Sequence, residues 1–230
     1  GIASVSKLTF NNNIAKSKQT FIAQRWNLVP QSIKAYEQGK LSKPVKPICF
    51  YIDDAFPAEW KNAIKQGVEL WNKAFEQAGY QKAIEALDFP KNDRNFDADD
   101  IAYSCIRYVP STSDKVSSSF LANPQTGEII NASVFVPANV GNQIYRWLFL
   151  GSAASDASMR TSHLPQDKFN QGLKYLVARE VGRSLGLLDN IGASYSYPVD
   201  SLRNSTFTRA NNLAASIMAN TPFNYVAQPS

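Results

Sequence analysis

The chain has 230 residues, of which 44% are hydrophobic, 12% aromatic and only 19% charged, enough apolar surface for a sizeable core and too much for a disordered tail. At about 100 to 200 residues per domain, this length fits one large domain or one domain with a small second lobe. No apolar run approaches the roughly 20 residues that span a bilayer, and the net charge of +5, from 24 Lys and Arg against 19 Asp and Glu, is scattered, without the basic, aromatic-interleaved face that nucleic-acid binding requires.

Gly1 and the polar segment after it lack a secretory signal pattern, so the chain reads as one from which a targeting segment has been removed. Residues 20–29 are expected to form an edge strand and 31–38 a short helix ending at Gly39. The near-continuous run Ile48-Cys49-Phe50-Tyr51-Ile52 predicts a strand buried on both faces. Pro57 opens an amphipathic helix carrying Trp60, Ile64, Trp71 and Phe75, with Gly79 as its C-terminal cap. Strands at 83–87 and 101–109 flank an acidic loop at 91–100. A hairpin follows, with strands at 117–121 and 129–136 around the turn Asn123-Pro124-Gln125-Thr126-Gly127. Helices are expected at 143–150 and 167–187, and the last forty residues lack a long periodic segment. This order predicts an α/β (α+β) fold with strands in mixed directions.

Cys49 and Cys105 each sit in a short apolar run, the setting of a small buried hydrophobe rather than a disulfide partner. Asp93-x-Asn95-x-Asp97-x-Asp99 alternates oxygen ligands as a calcium loop does, but Ala98 stands at the turn glycine and Ser104 at the closing Glu; the plainer reading is a solvated acidic loop. Asn131-Ala132-Ser133 and Asn204-Ser205-Thr206 match the short N-glycosylation pattern.

The helix at 167–187 is apolar around most of its circumference yet carries Arg179, Glu180 and Arg183. Arg179 and Arg183 share a face one turn apart, and Gly186 breaks the helix before Asp189. Residues 179–189 read R-E-V-G-R-S-L-G-L-L-D. That is the frame of the metzincin zinc signature H-E-x-x-H-x-x-G-x-x-H with every His replaced. In that signature two His at i and i+4 bind zinc from one helix face, the Glu is the general base, and the Gly turns the chain so that a third His reaches the metal. Glu180 and Gly186 remain; the ligand positions hold Arg179, Arg183 and Asp189.

From about Arg25 to the C-terminus the chain resembles the large bacterial family of zinc-dependent metalloproteases of metzincin type. The stretches that carry the resemblance include Lys46-Pro47-Ile48-Cys49-Phe50-Tyr51-Ile52-Asp53, Gly67-Val68-Glu69-Leu70-Trp71-Asn72-Lys73-Ala74-Phe75, Tyr197-Pro198-Val199-Asp200-Ser201-Leu202-Arg203, Ser216-Ile217-Met218 and Phe223-Asn224-Tyr225-Val226-Ala227-Gln228-Pro229. The resemblance implies a metzincin-like fold: a mixed, twisted sheet with packed helices, an active-site helix, and a small irregular C-terminal lobe whose methionine turn is Met218. It divides the chain into an N-terminal extension at 1–46, an upper lobe at 47–187 and the small lobe at 188–230, and implies an exported protein. Where the family usually has Asp-Tyr after the methionine, this chain has Ala219-Asn220.

Arginine cannot ligate a metal, because its guanidinium has only donors and a pKa above about 12. The only histidine, His163, precedes the helix, so a site built from His163, Asp189 and Glu180 would abandon the helix register. The expectation is therefore a domain without zinc or other cofactor, with Glu180 the relic of a general base and the cleft kept for a peptide or protein partner. The alternatives are a hydrolase with displaced ligands and a purely structural lobe of a larger protein. On its own sequence pattern, the Arg179 and Arg183 face reads first as a solvated helix surface; the resemblance implies that it lies at the floor of a cleft, where the two arginines must pair with Glu180 and Asp189, because an unpaired buried guanidinium costs several kcal/mol. The specific expectation is a hydrogen bond from Arg179 or Arg183 to Asp189.

Overall fold

The computed structural model describes residues 1–9 and 18–228; Pro229, the last residue quoted for the resemblance, lies outside them. The architecture is mixed α/β. Two antiparallel strands, β1 (Ser4–Thr9) and β2 (Lys18–Ala23), form a ribbon of their own. The main sheet has five strands: β3 (Ile48–Ile52), β4 (Ile84–Asp88), β5 (Ser104–Val109), β6 (Ser117–Ala122) and β7 (Ile129–Pro137), in the order β4-β3-β5-β7-β6. All neighbours run parallel except β6, which returns antiparallel to β7 and forms an edge. Among the described residues no strand pairs with the outer side of β6.

The β-branched and aromatic residues of β3 produce a strict alternation. Ile48, Phe50 and Ile52 are buried on the helix side, while Cys49 and Tyr51 face the other way and are half-buried. The strand is thus fully covered on one face only. Its second face is roofed by the acidic loop, whose Phe96 packs on Tyr51 and Tyr103. No disulfide joins the cysteines; burial pushes the Cys105 thiol up to about 11.

The helix expected from Pro57 to Gly79 is two helices, α2 (Ala58–Glu69) and α3 (Asn72–Gln77), after the short α1 (Ile33–Glu37) capped by the Ser32 side chain. The joint lies at Leu70 and Trp71, where tertiary hydrogen bonds pull on the chain. Trp71 Nε1 donates to the Ala178 carbonyl at 2.8 Å, and the Asn72 amide bridges Ala83 and Ile84 at the start of β4. The strand expected at 20–29 is shorter, ending at Ala23, and pairs with β1 rather than with the main sheet. The strand expected from Ile101 begins at Ser104, because the Asp100 carboxylate accepts the Ala102 N–H and holds a turn there.

The helices α4 (Val140–Ser152) and α5 (Gln166–Ser184) follow the hairpin. Phe169, Leu173, Leu176, Val177 and Val181 of α5 join the core beneath the sheet, and α2 packs along α5, with Gly67 leaving too little room for a side chain against the Lys174 carbonyl and Val177. Beyond α5 the described residues form a 3-10 turn at Ile191–Tyr195 and the short helices α6 (Val199–Arg203) and α7 (Ser205–Asn211).

Candidate functional site

Helix α5 ends in a Schellman motif. Gly186 takes φ +90°, its N–H bonds the Arg183 carbonyl at 2.9 Å, and the Leu187 N–H bonds the Gly182 carbonyl at 3.1 Å. The left-handed residue must be glycine twice over, because a Cβ there would also lie 2.4 Å from the Gln24 carbonyl oxygen. The turn reverses the chain and carries Asp189 back beside the last turns of α5. There the strand pair β6–β7 and the N-terminal residues close around it: the Ala3 N–H bonds the Gly186 carbonyl and the Leu188 N–H bonds the Gly1 carbonyl, so that the first residues of the chain run antiparallel to 186–188.

The four charged residues singled out in the sequence meet here. Arg179 Nη2 donates to Asp189 Oδ1 at 2.9 Å, Arg183 Nη2 donates to both Asp189 oxygens at 2.9 Å, and Arg183 Nη1 donates to Glu180 Oε1 at 2.8 Å. The second Glu180 oxygen accepts the Ser118 hydroxyl of β6 at 2.9 Å. The network grades from closed to open: the side chains of Glu180 and Arg179 are 4% and 10% exposed, those of Arg183 and Asp189 36% and 41%. The solvated-face reading of the two arginines thus fails for Arg179 and holds in part for Arg183. Arg179 Nε is buried without a partner.

The electrostatics follow the geometry. Burial pushes the Asp189 carboxyl up, but the Arg183 hydrogen bond and the charges of Arg179 and Arg183 outweigh it and hold the group below the usual carboxylate range. Arg183 is raised: burial alone would lower it, and the hydrogen bond to Asp189 with the charge of Glu180 prevails.

Met218 is buried under α5. A Cβ on Gly182 would lie 2.6 Å from the Met218 sulfur and 2.5 Å from the Trp71 ring, so glycine at 182 is what lets helix, methionine and indole converge. The Asn190 N–H bonds the Met218 carbonyl at 3.0 Å, and Tyr175 donates to the Ala219 carbonyl at 3.3 Å. The segment after Gly186 is thereby tied to the segment around Met218.

A pocket of about 430 Å³ opens over the outer pair, between Ser118, Ser119 and Phe120 of β6 and Arg183, Leu187 and Asp189. Of the two hairpin strands, only β6 borders it; β7 is interior to the sheet.

Among the described residues no three His, Cys, Asp or Glu side chains come together as a metal site. The residues at the zinc-signature positions do not fit zinc: two are guanidiniums, and the one carboxylate is engaged by both of them. His163 is exposed on the loop before α5 and does not line the pocket. The alternating acidic residues are spent locally, Asp93 and Asp97 accepting backbone N–H groups two residues on and Asp99 pairing with Arg107. Of the two glycosylation patterns, Asn131 donates to the Ile101 and Tyr103 carbonyls from within β7, and Asn204 caps α7.

Ser118 and Gly182 were not singled out from the sequence. The alternation of β6 contains the signal for Ser118, which shares the inner face with Phe120 and so points at the helix. Nothing local marks Gly182, whose need arises from the distant Trp71 and Met218.

No curated protein and no solved structure matches the chain. A family model described as Met-zincin matches residues 161–230, which takes in α5, the glycine turn, Asp189 and Met218.

Proposed function

We propose that this chain is a metzincin-like domain in which an ion-pair network has replaced the zinc, leaving a cleft that binds an extended peptide along β6 without hydrolysing it. The observation that carries the reading is the meeting of Arg179, Arg183 and Asp189 through three hydrogen bonds of 2.9 Å at the three ligand positions of the signature. Two cations and one anion there, with Glu180 as the second anion, neutralise one another and hold the post-helix segment to α5, the connection a metal makes in the parent signature. The residues left do not suit peptide hydrolysis: Glu180 is 4% exposed and already bonded through both oxygens, so it is not free to take a proton from water. Main-chain pairing with an edge strand needs no metal, and Ser118, Ser119 and Phe120 of the edge strand β6 border the pocket.

Elemental analysis of protein purified without chelator and equilibrated with zinc tests the first half. The expected result is zinc well below one per chain, and stoichiometric zinc overturns the reading. A screen of extended peptides tests the second half, with saturable binding and no cleavage expected; cleavage that depends on Glu180 would restore an enzyme.

A further inference from the structure

A second pocket lies along the N-terminal half of α5 and shares no residue with the cleft. Its volume is about 670 Å³, within the range of roughly 300 to 1,000 Å³ typical of small-molecule sites. Four parts of the chain enclose it: the α2–α3 joint, α4, α5, and the segment 212–222 that runs past Met218. The floor is apolar, built from Leu70, Ile144, Trp147, Leu148, Tyr175 and Ile217. Gly172 allows α4 to close against α5 there, since a Cβ would sit 2.4 Å from Ile144 Cγ2.

The charged groups at this pocket have one sign. Lys73, Lys168 and Lys174 line it, and no Asp or Glu does. Among the described residues, none of the three lysines forms an ion pair; Lys174 Nζ has a neutral partner, Gln66 Oε1, at 3.4 Å. The contrast with the cleft is direct, because there two cations face two anions and the charge is met internally. Here three cations surround an apolar chamber, and among the described residues no carboxylate pairs with any of them. An apolar body with an anionic head is the chemistry that satisfies both halves.

We infer that this pocket binds a small amphipathic anion, a carboxylate carried on a medium-length hydrocarbon chain, with the chain among Ile144, Trp147 and Ile217 and the head among the lysines. The inference stands independently of the reading of the cleft.

Titration calorimetry on the full chain with dodecanoate below its micellar concentration tests it. Saturable binding near one per chain is expected, with no binding of dodecyltrimethylammonium, which has the same tail and the opposite charge, and none of acetate, which has the head alone. Raising the salt from 0.05 to 0.5 M should weaken dodecanoate binding several-fold. The variant Lys73→Glu/Lys168→Glu/Lys174→Glu should weaken it by about tenfold or more, and Ala214→Trp, which fills the pocket, should abolish it. The salt series on the unaltered protein keeps the test sound if either variant fails to fold. Equal binding of the cationic and anionic amphiphiles, or charge reversal without effect, overturns the inference. An oligoglutamate peptide that binds while dodecanoate neither binds nor competes would overturn it in favour of an acidic peptide site.

Discussion

Replacing Asp189 by Ala removes the acceptor shared by both arginines and leaves the rest of the cleft intact. The cost follows from the exposure of each partner. Arg183 is 36% exposed and keeps Glu180, so its two lost hydrogen bonds are partly replaced by water and amount to about 1 kcal/mol or less. Arg179 is 10% exposed, Asp189 is its one acceptor among the described residues, and its Nε already lacks a partner there; losing a charge-assisted bond costs about 1.5 to 3 kcal/mol. The full penalty of about 3 to 5 kcal/mol for stranding a buried charge is not reached, because truncating a side chain that is 41% exposed lets water approach. The expected loss is therefore about 2 to 3 kcal/mol, read by urea unfolding monitored by circular dichroism at pH 7. The pH dependence supplies the control. Asp189 has a lowered carboxyl pKa in the folded protein, so its stabilisation is fully present above the unfolded value of about 3.9 and is lost as the pH falls through the folded value. The difference between the two proteins should be flat from about pH 5 to 8 and shrink below about pH 4. A cost under about 0.5 kcal/mol at pH 7, or a difference that grows on acidification, would refute the claim that Asp189 anchors the network.

Glu180→Gln should leave any peptide hydrolysis at its starting level, measured with a quenched fluorogenic library, whereas a hundredfold loss would identify a catalytic base. The triple variant Arg179→His/Arg183→His/Asp189→His removes three charges but leaves Glu180, which is 4% exposed, with only the Ser118 hydroxyl as partner. It should melt below the unaltered protein in chelator and recover when zinc is added, and a thermal scan insensitive to zinc would show that the cleft no longer has the geometry of a three-His site. Gly182→Ala should destabilise by about 1 to 3 kcal/mol in denaturant unfolding, because the added methyl meets Trp71 and Met218 at 2.5 and 2.6 Å; a neutral result would mean that the helix, Trp71 and Met218 are not closely packed. Ser118→Ala should cost about 1 kcal/mol through the bond to Glu180, again by unfolding, and no change would remove β6 from the network.

Much of the secondary structure was legible in the sequence because local chemistry dictates it. The run at 48–52 specifies a strand, Gly39 and Gly79 mark helix ends, and the stretch Asn123 to Gly127 specifies the hairpin turn. The grouping of Arg179, Glu180, Arg183 and Asp189 was legible for the same reason. Positions 179, 180 and 183 are fixed relative to one another by helix geometry, and Gly186 determines the direction in which the chain turns.

What only the tertiary structure decided has the opposite character, because each case depends on a partner far away in the chain. The break at Leu70 and Trp71 comes from Ala178 and the start of β4, the glycine at 182 answers to Trp71 and Met218, and Ser118 reaches Glu180 across 62 positions. The N-terminal residues fold back on 186–188 with no periodic pattern to announce it, since main-chain hydrogen bonds carry no sequence signature. The same holds for the energetics of the cleft. The sequence determined which charges meet, but whether a guanidinium is buried or wet depends on how β6, α5 and the segment after Gly186 enclose it, and that enclosure separates Arg179 at 10% exposure from Arg183 at 36% on the same helix face.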